Sequence, residues 1–208
     1  MQVTLDHKDN LKLSKDSLER VIEKLGGQNY STLNNALFRL FKESHREIGG
    51  LEADMMDLTS CSLHSRNIFE LYLIMLHVYS DEKALNSWYG QLHKDSKDIK
   101  VGFIALLKKR GMDTSEFEEL QRFEDKTLDE SDFQSKGGFQ IRDLAEKYGY
   151  LEDYLFVYKL NSKLIHPTSM KVNIYDVLTE NDNYLKVVIQ IGVFFSQKVE
   201  EFALNVEG

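Results

Sequence analysis

The sequence predicts an all-α protein: an irregular bundle of six to eight helices, two of them largely buried. Three observations carry this. Apolar residues recur at helical spacing along nearly the whole chain, and no run alternates at period two for long enough to build a sheet. Proline occurs once in 208 residues, which argues against a turn-rich β fold and against a Pro-rich linker. Paired glycines at 26–27, 49–50 and 137–138 fall between helical patterns, as stop signals do.

The elements follow in order. Ser14–Leu25 places Leu18, Val21, Ile22 and Leu25 on one face and stops at Gly26-Gly27. Ser31–Ile48 repeats the design with Leu33, Ala36, Leu37, Leu40 and Phe41, and is expected to stop at Gly49-Gly50. A long helical stretch runs from about Leu51 to Tyr79, with a break expected near Thr59-Ser60. Asp81 is an N-cap for the helix from Glu82. A segment over Val101–Lys109 ends at Gly111. Ser115 with Glu118 fits a capping box that opens an acidic helix over 115–134. Helices over Phe139–Tyr148 and Tyr150–His166 follow, the second stopped by Pro167. A loop with a short turn at Ile174–Val177 leads to a last helix, Tyr184 to about Leu204. Ile68–Tyr79 and Tyr184–Leu204 are apolar on most sides and are the two expected buried helices. The chain reads as one helical domain over 1–208, with an N-terminal hairpin over 1–50 and a main bundle over 51–208.

Composition excludes several classes. At 42% hydrophobic the chain is too apolar for disorder. One cysteine excludes a disulfide framework and a cysteine-based zinc site; Cys61 reads as a small core residue. The first residues lack the apolar stretch of a signal peptide, and no run reaches the ~18 apolar residues of a membrane span. A cytoplasmic, non-membrane protein is expected.

The net charge of −8 is uneven. From Asp113 to Asp132, nine acids face Arg122 and Lys126, while 94–110 holds six bases and two acids. Such neighbours either pair across a helical hairpin or mark a partner site. Net acidity removes the general attraction that supplies much non-specific nucleic-acid affinity.

Two polar stripes carry the functional signal. Arg66, Glu70 and His77 fall within about 40° of one another on a helix, so one strip of an otherwise apolar helix is ionisable. Tyr158, Ser162 and His166 follow at four-residue steps on a second helix. Pro167 places His166 at the helix terminus, where the dipole favours its protonated form. The expected site is a polar cleft with Arg66, Glu70 and His166 as the acting groups and Tyr158, Ser162 and His77 as ligand-binding ones. Arg66 would contact an anion, Glu70 would orient Arg66, and His166 would act as donor or acid–base group.

Arg66-x3-Glu70, the Lys147–Gly149 segment and Tyr158-x3-Ser162-x3-His166 together resemble an uncharacterised bacterial all-helical domain-of-unknown-function family, five-six-seven-seven. The resemblance covers Ser65 to about Pro167, leaving the first 50 residues and the last helix outside, and implies a fold and a candidate site without an activity. A weaker similarity, to HEPN-type helical ribonucleases, rests on Arg39-x5-His45, where Leu40 stands in place of the usual polar residue.

No P-loop, dinucleotide fingerprint, nucleophile elbow, zinc-protease motif or paired Glu-x-x-His is present, so no cofactor and no metal is expected. The expected function is a polar cleft that takes a small anionic or nucleotide-like ligand or a partner, with a defence or stress role by family analogy. Two alternatives stand beside it: a metal-independent ribonuclease acting through His166 or His45 on RNA, and an interaction module using the acidic helix. A protein partner or homodimer fits these readings, and whether the chain is an enzyme stays open.

Overall fold

The computed structural model describes residues 2–27, 31–129, 133 and 137–207. Among these residues there is no strand, and the helices number nine rather than six to eight. They are α1 (Gln2–Gly26), α2 (Thr32–Ala53), α3 (Leu58–Ser80), α4 (Glu82–Lys109), α5 (Ser115–Asp129), α6 (Ile141–Lys147), α7 (Leu151–Ile165), α8 (Ser169–Glu180) and α9 (Asn183–Glu207). The chain forms two compact units, Met1–Leu76 with Ile141–Gly208, and His77–Gln140.

In the first unit α1 packs on α2 and α9, and α2 also meets α9. The apolar stripes face inward: Leu11, Leu18 and Val21 from α1, Leu37, Leu40, Phe41, Ile48 and Leu51 from α2, and Val188, Phe195, Val199 and Ala203 from α9 are buried. Each fully buried Leu or Phe contributes roughly 1.5–3 kcal/mol relative to exposure. Aromatic rings lock α3 to this core. Phe69 lies 4.5 Å from Phe195, and Tyr72 meets Tyr150 edge-on at 5.5 Å.

Three expectations change here. Ser31 caps α2 by accepting from the Asn34 N–H, as its type predicts, but the helix runs through Gly49-Gly50 to Ala53. Gly50 is needed for contact rather than for stopping: a Cβ there would run into the His64 ring of α3. The break therefore falls at 54–57 instead of Thr59-Ser60. The expected loop after Pro167 is helix α8, capped by Thr168, whose Oγ1 accepts from the Lys171 N–H, and kinked at Ile174. Finally, α3 is buried at Ile68, Phe69, Tyr72, Leu73 and Met75, whereas α9 exposes Tyr184, Val187, Phe194 and Leu204 and is one-sided.

The second unit is built on the α4–α5 hairpin. Asp81 caps α4 by accepting from the Lys83 N–H, and the helix continues unbroken through Gly102 to Lys109. Gly111 turns the chain with φ +69, a left-handed conformation that suits glycine. The α5 start differs from the expected capping box. Asp113 accepts from the Ser115 N–H at 3.0 Å, and Thr114 rather than Ser115 donates to Glu118, at 3.0 Å. The opposite charges of the two helices meet across the hairpin: Lys97 with Asp125 at 2.9 Å, Lys108 with Glu118 at 2.7 Å, and Lys100 with Glu124. Lys108, by hydrogen bonding, holds the Glu118 carboxyl below its ordinary range. The rest of the expected acidic helix, beyond Asp129 to Gln134, falls on positions of which only 133 is among the described residues.

Candidate functional site

Arg66 and Glu70 sit one turn apart on α3, and the expected pair forms, with Arg66 Nε donating to Glu70 Oε1 at 2.7 Å. Both side chains are about a quarter exposed, at 24% and 26%. Helix α7 supplies the next layer. The Arg66 guanidinium carbon stands 4.9 Å from the centre of the Tyr158 ring, a cation–π distance. Tyr158 in turn stacks on Tyr154 at 5.2 Å. Burial pushes the Tyr154 hydroxyl above its usual value of 10.0; Tyr158 and the Glu70 charge add to this, while Arg66 and Arg142 oppose it.

The structure therefore brings three of the expected residues together: Arg66, Glu70 and Tyr158. Tyr158 is exposed, so the cluster is half open to solvent. Ser162 lies one turn beyond Tyr158 and is half-buried. His166 is the C-cap of α7, exposed, with extended φ −81 and ψ 155, as the following proline requires. Eight residues of helix set it about 12 Å along the axis from Tyr158. His77 belongs to the second unit, where its ring meets Phe139 edge-on at 4.9 Å. Arg39 is exposed and donates from Nε to Asn35 Oδ1 at 3.2 Å; the Nε2 of His45 is buried and has no hydrogen-bond partner among the described residues.

Several polar residues escaped the sequence reading. Tyr154 and Arg142 join the electrostatics of the Arg66 cluster. Asn161, on α7 between Tyr158 and Ser162, is fully buried, and neither polar atom of its side chain has a partner among the described residues. Buried Glu47 accepts from His64 Nδ1 at 2.8 Å and from Asn67 Nδ2 at 3.2 Å, and His64 Nε2 lies 3.7 Å from Asp54. No local signal marks that second cluster: a glycine pair reads as a turn or stop, and only the packing of α2 on α3 sets Gly50 against the His64 ring.

Fold and site thus define an all-helical protein with an arginine clamped between a carboxylate and an aromatic ring. A family model matches residues 34–184, more than two thirds of the chain, and the chain belongs to that family, DUF5677, a family of unknown function. The match is wider than the Ser65–Pro167 expected from motifs: it takes in most of α2 and all of α8, and leaves out α1 and nearly all of α9. No curated protein and no solved structure matches the chain. Among the described residues no helix is long and apolar enough to cross a membrane.

Proposed function

We propose that the α3–α7 face of the first unit binds a small anion, a phosphate-bearing ligand such as a nucleotide, through Arg66. The observation that carries this reading is the way Arg66 is held. Glu70 accepts from Nε at 2.7 Å, and the Tyr158 ring lies 4.9 Å from the guanidinium carbon. A guanidinium held by a carboxylate and an aromatic ring has lost part of the rotamer freedom that weakens a surface arginine, and the guanidinium's planar set of donors suits a phosphate or carboxylate. Ser162 and His166 extend the same face of α7 and would meet the distal part of a ligand longer than a phosphate group.

Isothermal titration with inorganic phosphate and with adenosine monophosphate tests it. Wild type binds at least one of the two. Arg66→Ala loses at least tenfold in affinity, Arg66→Lys retains part of it, and Tyr158→Ala weakens it without changing the far-ultraviolet dichroism. His166→Ala leaves phosphate affinity unchanged and lowers nucleotide affinity. Equal affinity in wild type and Arg66→Ala, or no binding of either probe, removes the proposal. RNA degraded by wild type but not by His166→Ala or His45→Ala would replace it with a nuclease.

A further inference from the structure

We infer that the groove between α7 and α9 in the first unit is a second ligand site, and that it takes a small organic ammonium ion with an apolar body. The inference does not depend on the anion site: Tyr154 and Tyr158 are turned about 150° around α7 from the residues that face the groove.

The groove measures about 500 Å³, within the ~300–1,000 Å³ of small-molecule sites. Its floor is Val157 of α7 and Phe195 of α9, both buried. The floor is set before any ligand arrives, because Phe195 is packed against Phe69 at 4.5 Å, Tyr150 at 6.0 Å and Tyr72 at 6.1 Å. The rims are open: Phe156 of α7 is 53% exposed and Phe194 of α9 is 44% exposed, and both line the same space. A fixed apolar floor between two open aromatic rims suits an apolar body of small-molecule size.

Two carboxylates decide the charge of the occupant. Glu152 and Asp153 line the groove from the first turn of α7, Glu152 exposed and Asp153 half-buried. Among the described residues neither has an ion pair or a hydrogen bond. By contrast Glu70, Glu118 and Glu201 are paired with Arg66, Lys108 and Lys198. First-turn acids complement the helix dipole, which accounts for their residue type but leaves their oxygens free to accept. No basic side chain lines the groove among the described residues, and Gln190 is its neutral polar group. Lys198 shows what the aromatic rim attracts: its Nζ stands 5.8 Å from the centre of the Phe194 ring, although its charge is already committed to Glu201 at 2.8 Å. An ammonium ion with an apolar body meets both features, donating to the carboxylates while its body covers Phe156 and Phe194. A neutral hydrocarbon would cover the half-buried Asp153 without supplying a counter-charge, and an anion would meet two like charges.

Isothermal titration of the full chain with 2-phenylethylammonium tests this, with 2-phenylethanol as the neutral probe of the same shape and phenylacetate as the anionic one. The ammonium binds at least tenfold more tightly than the alcohol, phenylacetate does not displace it, and added salt weakens it. Asp153→Asn with Glu152→Gln lowers ammonium affinity at least fivefold and leaves that of the alcohol unchanged. Phe194→Ala lowers both, and Arg66→Ala lowers neither, which separates this groove from the anion site. If the double variant loses helical dichroism, Glu152→Gln alone, at an exposed position, provides the comparison, with the same direction expected. No binding of the ammonium at millimolar concentration overturns the inference, as does equal affinity for the alcohol or an ammonium affinity indifferent to the carboxylate variants.

Discussion

Two glycines inside helices should respond oppositely to the same substitution. Gly192 of α9 is buried where that helix crosses α2 and α3. An added Cβ would overlap Leu51 Cδ2, lie 2.6 Å from Ser65 Oγ and stand 3.4 Å from Ser65 Cβ. Neither neighbour can yield easily. Leu51 and Ser65 are fully buried, and the Ser65 hydroxyl donates to the Val188 carbonyl at 2.9 Å. Overpacking of this kind costs ~1–3 kcal/mol, and displacing the serine adds the ~1 kcal/mol of a buried hydrogen bond. The gain in helix propensity from Gly to Ala is ~1 kcal/mol. Gly192→Ala is therefore expected to destabilise the first unit by about 1–3 kcal/mol. Gly102 of α4 is the control: its Cβ would meet nothing within 4 Å. Gly102→Ala should stabilise the second unit by up to ~1 kcal/mol through the same propensity term acting alone. Urea unfolding followed by far-ultraviolet dichroism measures both, and calorimetry separates the units. A Gly192→Ala protein at least as stable as wild type would refute the close seating of α9 on α3.

Other predictions are quicker to check. Burial, with help from Asp57 and Asp54, pushes the Cys61 thiol from 9.0 up to about 12. Native protein should resist thiol reagents at neutral pH, and a rate of modification equal to that of the unfolded chain would contradict the burial. Because the folded thiol holds its proton while the unfolded one releases it, this group's contribution to stability should decline as pH rises above about 9. Asp81→Ala should cost ~1 kcal/mol by removing the α4 cap, with amide exchange accelerated in the first turn of α4. Arg66→Ala removes a part-exposed pair worth ~0–1 kcal/mol and a cation–π contact of ~0.5–1 kcal/mol, so it should lower the melting temperature by only a few degrees. Outright unfolding of that variant would make the cluster a structural strut.

The sequence by itself determined what depends on near neighbours. Helical periodicity, the Ser31 and Asp81 caps, the Arg66–Glu70 pair and the end of α7 before Pro167 each need only three to eight adjacent residues, and each is legible without a fold. The opposite charges of α4 and α5 were legible too, as two runs joined by a short turn. Tertiary structure decided the rest. Gly49-Gly50 carries a local stop signal, yet the helix continues because Gly50 is where His64 of α3 passes. Composition made α9 look buried all round, but the partners α1, α2 and α3 cover only one side of it. Arg66 and Tyr158 are 92 positions apart, and no local rule could place a guanidinium on that ring. Local chemistry proposes helices and pairs; which of them meet depends on the packing of faces distant in sequence, and that packing assembled Arg66, Glu70 and Tyr158 while setting His77 in another unit.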